Sequence, residues 1–146
     1  MLFRPMTATA PALATQSPLE IRHVPGKGRG VFAARDIAEG ELLDEAHVLV
    51  VSAEDAERLE ETPLGQHDFH WEGDVDDDRW RGAVALGVIS LVNHSSDPNA
   101  GVWQDYAREV MVLEALRPIT AGEEIHIEYE IELWFDPIEE PSPGTY

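Results

Sequence analysis

Short strand-like segments separated by glycine and proline make up most of this sequence, and they restrict the fold more than any other feature. Residues Leu19–Val24 alternate apolar and polar side chains with a period of two, the pattern of a half-buried β-strand. Further strand-like segments lie at residues 42–52, 69–71, 101–105, 110–115 and 124–129. Residues 53–61 have the pattern of a short helix with Ser52 as its N-cap, whereas the apolar residues 83–92 fit a strand or a buried helix equally well. The chain is therefore predicted to form a mainly β domain with little helix, not a domain of alternating strands and helices.

Length and composition indicate one globular domain without covalent cross-links. The chain has 146 residues and no cysteine, which excludes disulfides, zinc–thiolate sites and thiol nucleophiles. No segment approaches the roughly 20 consecutive apolar residues that span a membrane, and residues 7–16 lack the apolar centre of a secretory signal. We therefore expect a cytoplasmic protein with no membrane partner. Residues 1–18 predict a flexible arm and residues 136–146 a flexible tail, which leaves 19–135 as the folded domain.

The net charge of −19 is large for a chain of this length. Such a charge repels phosphate backbones, so we expect no direct binding of nucleic acid. It attracts cationic segments and would steer a peptide rich in lysine and arginine toward the surface. An acidic surface of the kind found in salt-adapted proteins explains the same composition equally well, so the charge leaves both interpretations open.

Three short motifs carry the functional information. Residues 26–33 read Gly-Lys-Gly-Arg-Gly-Val-Phe-Ala, residues 93–99 read Asn-His-Ser-Ser-Asp-Pro-Asn, and residues 120–129 read Thr-Ala-Gly-Glu-Glu-Ile-His-Ile-Glu-Tyr. Taken singly, each has an ordinary structural explanation: a hairpin turn, a buried histidine followed by a turn, and a packing tyrosine at the end of a strand. Glycines also let the backbone approach a ligand closely, and their N–H groups can surround a carboxylate. The first motif lacks the following helix and the Lys-Ser/Thr pair of a phosphate-binding loop.

In this order and spacing, the three motifs resemble the SET-domain family of protein lysine methyltransferases. The resemblance covers residues 19–135 and implies a β-clip-like fold of short strands in several small sheets. It implies that the cofactor S-adenosyl-L-methionine is bound by Lys27, Gly28, Arg29, Gly30, Asn93 and His94, with Trp134 as an aromatic lid. It also implies that Tyr129 is the catalytic residue beside the reacting lysine. The chain departs from the family pattern at three places, with Ser96 for a cysteine, Ser90-Leu91 for Arg-Phe, and Glu128 for an aspartate.

The implied activity is transfer of a methyl group to a lysine of a basic protein or peptide, by a monomer or a homodimer. Two alternatives remain open. The chain could be an inactive SET-like module that binds cofactor or peptide, or an acidic β-rich scaffold in which the motifs are coincidental turns. No carboxylate of the third motif is assigned a function, since Glu123 and Glu124 have the pattern of solvated turn residues.

No metal site is expected. His67 and His70 flank Asp68, but their spacing suits a helix and this segment has the pattern of a strand. The aspartates of residues 73–78, which predict a turn, lack the ligand spacing of a calcium loop.

Overall fold

The computed structural model describes residues 17–74 and 77–129. The predicted tail and Trp134 lie outside these residues, as does most of the predicted arm. The strands are β1 (Leu19–Val24), β2 (Gly28–Ala33), β3 (Leu42–Val51), β4 (Asp68–Asp74), β5 (Asp77–Ala85), β6 (Asn93–His94), β7 (Ala100–Asp105), β8 (Val110–Ala115) and β9 (His126–Ile127). They are accompanied by helix α1 (Ala53–Glu60) and by 3₁₀ helices at Pro63–Gln66 and Val88–Leu91. The predicted mainly β fold with several small sheets is confirmed.

Three sheets organise these strands. Strands β1 and β2 form an antiparallel hairpin, and β4, β5, β3, β8 and β7 form an antiparallel five-stranded sheet in that order. The two-residue strands β6 and β9 pair in parallel, with Asn93 opposite His126 and His94 opposite Ile127. This third sheet joins the second and third sequence motifs directly.

The five-stranded sheet curls until its two outer strands meet. Gln104, at the end of β7, donates a hydrogen bond from Nε2 to the carbonyl oxygen of His70 on β4 at 2.8 Å. Next to this bond, Trp71 packs edge-on against Tyr106, with ring centroids 4.9 Å apart. Side chains that alternate along the strands form one buried core, including those of Ala46, Val48, Ala83, Ala85, Ala100, Met111, Leu113 and Ala115.

Helix α1 begins where the sequence predicted. The side chain of Ser52 accepts a hydrogen bond from the backbone N–H of Asp55 at 3.1 Å, as an N-cap does. Arg58 pairs with Glu54 and Asp55 one turn earlier, and Ala53 is the buried residue of the helix. Within the described residues, no helix is both long and apolar enough to cross a membrane.

Several predicted boundaries were wrong. Residues 28–30 belong to strand β2 and not to a loop, so the turn is confined to residues 25–27. The undecided segment 83–92 divides into the end of β5 and the 3₁₀ helix Val88–Leu91, with Gly87 as the N-cap. The predicted turn at 73–78 is shorter, since Asp74 pairs with Asp77. Of the predicted strand 124–129, His126–Ile127 alone forms a continuous strand.

Candidate functional site

The fold brings the three sequence motifs together. Strand β2 of the first motif lies along the third motif, where the Ile125 N–H bonds to the Val31 carbonyl at 2.7 Å and the Ala33 N–H to the Glu123 carbonyl at 2.8 Å. The second motif joins the third through the pairing of β6 with β9. Segments that are far apart in the sequence therefore border one site.

Asn93 lies at the junction of all three motifs. Its Nδ2 donates to the carbonyl oxygen of Arg29 at 3.2 Å and to Oε1 of Glu124 at 2.7 Å. Both partners are acceptors, so the hydrogen-bond network fixes which end of the amide is nitrogen. Consequently Oδ1 points away from both partners, and none of the residues described donates a hydrogen bond to it.

Gly30 allows the three segments to approach this closely. A Cβ atom at this position would lie 2.6 Å from Oε1 of Glu124, 2.8 Å from Cγ2 of Val24 and 3.1 Å from Nδ2 of Asn93. These distances are too short for a methyl group, so the close approach requires glycine. The importance of this glycine thus comes from the space around it.

Glu124 is buried, which corrects its interpretation as a solvated turn residue. Its side chain is 7% exposed, and Oε2 lies 3.3 Å from Nε2 of His126. The backbone around it is held by Asn99, whose side chain donates to the Glu124 carbonyl at 2.8 Å and accepts from the His126 N–H at 2.8 Å. Asn99 itself is 2% exposed. No local pattern predicted this burial, because a glutamate next to the turn at Gly122 is normally solvated.

Tyr129 is held beside the second motif at two points. Its backbone N–H donates to Nδ1 of His94 at 3.0 Å, and its hydroxyl donates to the Val92 carbonyl at 2.8 Å. Because Nδ1 of His94 accepts, the proton of the neutral ring lies on Nε2. Burial raises the pKa of the Tyr129 hydroxyl above its ordinary value, so the phenol stays protonated at neutral pH. The structure thus brings Tyr129 together with the predicted Asn93–His94 pair.

Lys27 and Arg29 of the hairpin have a distinctive electrostatic environment. Among the side chains that the structure describes, these two cations form no ion pair with a carboxylate. Every other arginine with a described side chain does form one, namely Arg22, Arg35, Arg58, Arg81, Arg108 and Arg117. Unpaired cations in so acidic a chain leave positive charge available to an anionic group at the hairpin.

His67, one of the two histidines considered as metal ligands, bonds to a backbone carbonyl. Nδ1 of His67 lies 2.8 Å from the carbonyl oxygen of Ser90, an arrangement in which Nδ1 is the donor. In residues 17–74 and 77–129, no group of three or more histidine, cysteine, aspartate or glutamate side chains is placed to hold a metal ion.

Comparison with known proteins agrees with the family resemblance of the three motifs. The family model of the SET domain matches residues 28–130. A histone-lysine N-methyltransferase of Schizosaccharomyces pombe, described as H3 lysine-37 specific, is 35% identical over 123 residues, which cover 83% of this chain and 79% of the yeast protein.

Solved structures show the same fold. A proposed histone methyltransferase of Plasmodium falciparum has a TM-score of 0.61 at 25% identity, over 82% of this chain and 99% of that one. A SET-domain histone lysine methyltransferase of Neurospora has a TM-score of 0.61 at 22% identity, over 84% of this chain and 55% of that one. The family-model match and the yeast relative decide the assignment: this chain belongs to the SET-domain family of protein lysine methyltransferases.

Proposed function

We propose that this protein transfers a methyl group from S-adenosyl-L-methionine to the side-chain amine of a lysine in a basic protein or peptide. The observation that carries the proposal is the junction at Asn93, where a fixed amide places an unused acceptor beside a glycine-rich strand. Family membership gives the reaction class, and the geometry supports the assignment of particular residues.

The residues at this junction fit the methionine end of the cofactor. That end carries an ammonium group and a carboxylate, so it needs an acceptor and a positive charge close together. Oδ1 of Asn93 supplies the acceptor, and the unpaired Lys27 and Arg29 supply the positive charge. Gly30 allows Asn93 and Glu124 to pack against β2 at the same place, because a side chain there would displace both of them. His94 would contribute through its backbone, since its Nδ1 is already bonded to Tyr129.

Tyr129 fits a role in orienting the lysine amine. When bound, the cofactor supplies a methyl group activated by a positively charged sulfur. The Tyr129 hydroxyl donates its hydrogen bond to the Val92 carbonyl, so its oxygen is available as an acceptor for an amine N–H. The raised pKa of the phenol argues against a role as general base. Deprotonating a free lysine at pH 7 costs about 4.6 kcal/mol, a cost that a desolvated site beside a positive charge reduces.

The basic substrate is inferred from charge. With 29 acidic and 10 basic residues, the chain attracts cationic segments over long range. The yeast relative is described as acting on histone H3, a basic protein, which agrees with this class of substrate. The target protein of this chain need not be the same.

Calorimetric titration with S-adenosyl-L-methionine tests the cofactor assignment. Asn93→Ala should weaken binding by roughly 1–3 kcal/mol, because it removes the acceptor and leaves the Glu124 carboxylate without its donor. Ser96→Ala is the matched control, since this exposed residue lies in the same turn and should bind as wild type. Equal affinities for Asn93→Ala and wild type would remove Asn93 from the site. Incorporation of labelled methyl into basic lysine peptides then distinguishes an enzyme from an inactive module that binds cofactor alone.

A further inference from the structure

We propose that Glu124 is a positioning residue that fixes the Asn93 amide with Oδ1 directed at the cofactor's ammonium group. The inference rests on the proposed function and adds a residue that the family resemblance did not assign. It comes from the burial of a carboxylate in the site, which needs a physical explanation.

A buried carboxylate is costly unless it is paired and hydrogen-bonded. The Glu124 side chain is 7% exposed and has two polar neighbours, Nδ2 of Asn93 at 2.7 Å and Nε2 of His126 at 3.3 Å. A hydrogen bond from a neutral donor to an ionised acceptor is stronger than one between neutral groups. The short contact therefore fixes the Asn93 side chain more firmly than its bond to the Arg29 carbonyl at 3.2 Å.

Glu124 itself has little freedom to move. Its backbone pairs with Phe32 of β2, and its carbonyl oxygen accepts from Nδ2 of Asn99. Its Oε1 occupies the space next to Gly30, where even a methyl group would be 2.6 Å away. A carboxylate held on its backbone side and packed against a strand can impose an orientation on its partner.

The orientation determines what the site binds. An amide can rotate by 180° and exchange its oxygen for its nitrogen with almost no change in shape. With nitrogen directed outward, Asn93 would present a donor to an ammonium group, and the contact would be repulsive. A carboxylate accepts only, so Glu124 permits the orientation in which Oδ1 points outward. A glutamine in its place offers both a donor and an acceptor and loses this selectivity.

Glu124→Gln is therefore the informative substitution, because it keeps the shape and removes the charge. We expect it to weaken binding of S-adenosyl-L-methionine about tenfold in calorimetry. Glu123→Gln is the matched control, since it makes the same change in net charge one residue away on a side chain that bonds to Arg117 and to the Thr120 N–H. It should bind within about twofold of wild type.

A double-mutant cycle shows whether Glu124 acts through Asn93. In an Asn93→Ala background, Glu124→Gln should cause less than about a twofold further loss. A purely structural role would instead cause the same loss in both backgrounds. The thermal midpoint of each variant, measured without ligand, separates lost stability from lost affinity.

One measurement needs no variant. In the wild-type protein without ligand, NMR should show that both side-chain amide protons of Asn93 exchange slowly with solvent, because both are hydrogen-bonded. Exchange as fast as that of an exposed asparagine would overturn the inference even if Glu124→Gln failed to fold.

The outcomes separate the two proposals. If wild type fails to bind S-adenosyl-L-methionine, the proposed function fails and this inference with it. If wild type binds and Glu124→Gln binds within twofold of it, or loses affinity equally with and without Asn93, the proposed function stands and the positioning role of Glu124 is refuted.

Discussion

Replacing Gly30 by alanine should reduce both stability and cofactor affinity, because the added methyl group enters the space used by the site. The new Cβ would lie 2.6 Å from Oε1 of Glu124 and 3.1 Å from Nδ2 of Asn93, two atoms that bond to each other at 2.7 Å. Neither can retreat without lengthening that bond. The variant thus acts on the pair that orients the site while leaving every functional group present.

The change in the free energy of unfolding caused by Gly30→Ala is the sum of two opposing effects. Overpacking by one methyl group costs about 1–3 kcal/mol in a packed environment. Gly30 does not have a positive φ, so alanine can adopt the same backbone conformation. Alanine also lowers the conformational entropy of the unfolded chain, which stabilises the folded state by about 0.4–1 kcal/mol. We therefore expect a net loss of about 1–2 kcal/mol in the free energy of unfolding, with a drop in the thermal midpoint of roughly 2–4 °C per kcal/mol. Affinity for S-adenosyl-L-methionine should fall by about tenfold or more.

Gly40→Ala provides a control with a similar loss of stability at a distant position. Gly40 has a φ of +78° in the turn before β3, where an alanine costs roughly 1–2 kcal/mol in backbone strain. The nearest atom to its added Cβ would be Oε1 of Glu114 at 3.9 Å, so no neighbour is displaced. Urea unfolding and calorimetric titration should show both variants destabilised and only Gly30→Ala impaired in binding. Equal affinity in the two variants would refute the role of the close approach at Gly30.

Two further predictions concern single side chains. Tyr129→Phe should slow methyl transfer by about 10²-fold or more. It should also lower the free energy of unfolding by about 0.5–1.5 kcal/mol, because the Val92 carbonyl loses its hydrogen bond. Turnover near that of wild type would leave Tyr129 as a packing residue. Burial, together with the nearby Glu60, raises the pKa of the Asp68 carboxyl, so the folded state binds its proton more tightly than the unfolded state does. Protonated Asp68 therefore favours the folded state, and this contribution is lost as the pH rises through the pKa of the folded state. Asp68→Asn should accordingly raise the thermal midpoint at pH 7 and give no gain below about pH 3.9, and a pH-independent difference would contradict this explanation.

The sequence pattern predicted several strands but not β5, which begins within the predicted turn at 73–78. Leu19–Val24 and Val110–Ala115 were predicted with the bounds that the structure shows. In β8, Met111, Leu113 and Ala115 are buried at every second residue, whereas Ile21 of β1 is exposed although it has the alternating pattern. The segment 83–92 was ambiguous for a physical reason. Its residues are apolar in succession, and the change from strand to 3₁₀ helix occurs near Gly87, where a Cβ would lie 2.6 Å from Oδ2 of Asp44. A contact with a distant strand decides this boundary.

The site was predicted less completely than the fold. The family resemblance assigned candidate roles to Asn93, His94 and Tyr129, and the structure brings these residues together. Glu124 was missed because, like Glu123, it lies next to the turn at Gly122 and has the pattern of a solvated turn residue. Its backbone instead forms a single bridge to β2, and that surface is covered by the first motif. Burial created by a distant segment leaves no local pattern in the sequence.

The junction at Asn93 also determines when the site can form as the protein is made. Asn93 bonds to Arg29, which lies 64 residues before it, and to Glu124, which lies 31 residues after it. Contacts over such separations form slowly, because closing the intervening loop costs chain entropy before the contact is gained. While the ribosome is still adding the third motif, the hairpin β1–β2 lacks the segment on which it docks, although β3, β7 and β8 are already complete. A chain that stops before residue 124 therefore lacks Glu124 and β9, the two elements that hold Asn93 and His94 in the proposed site.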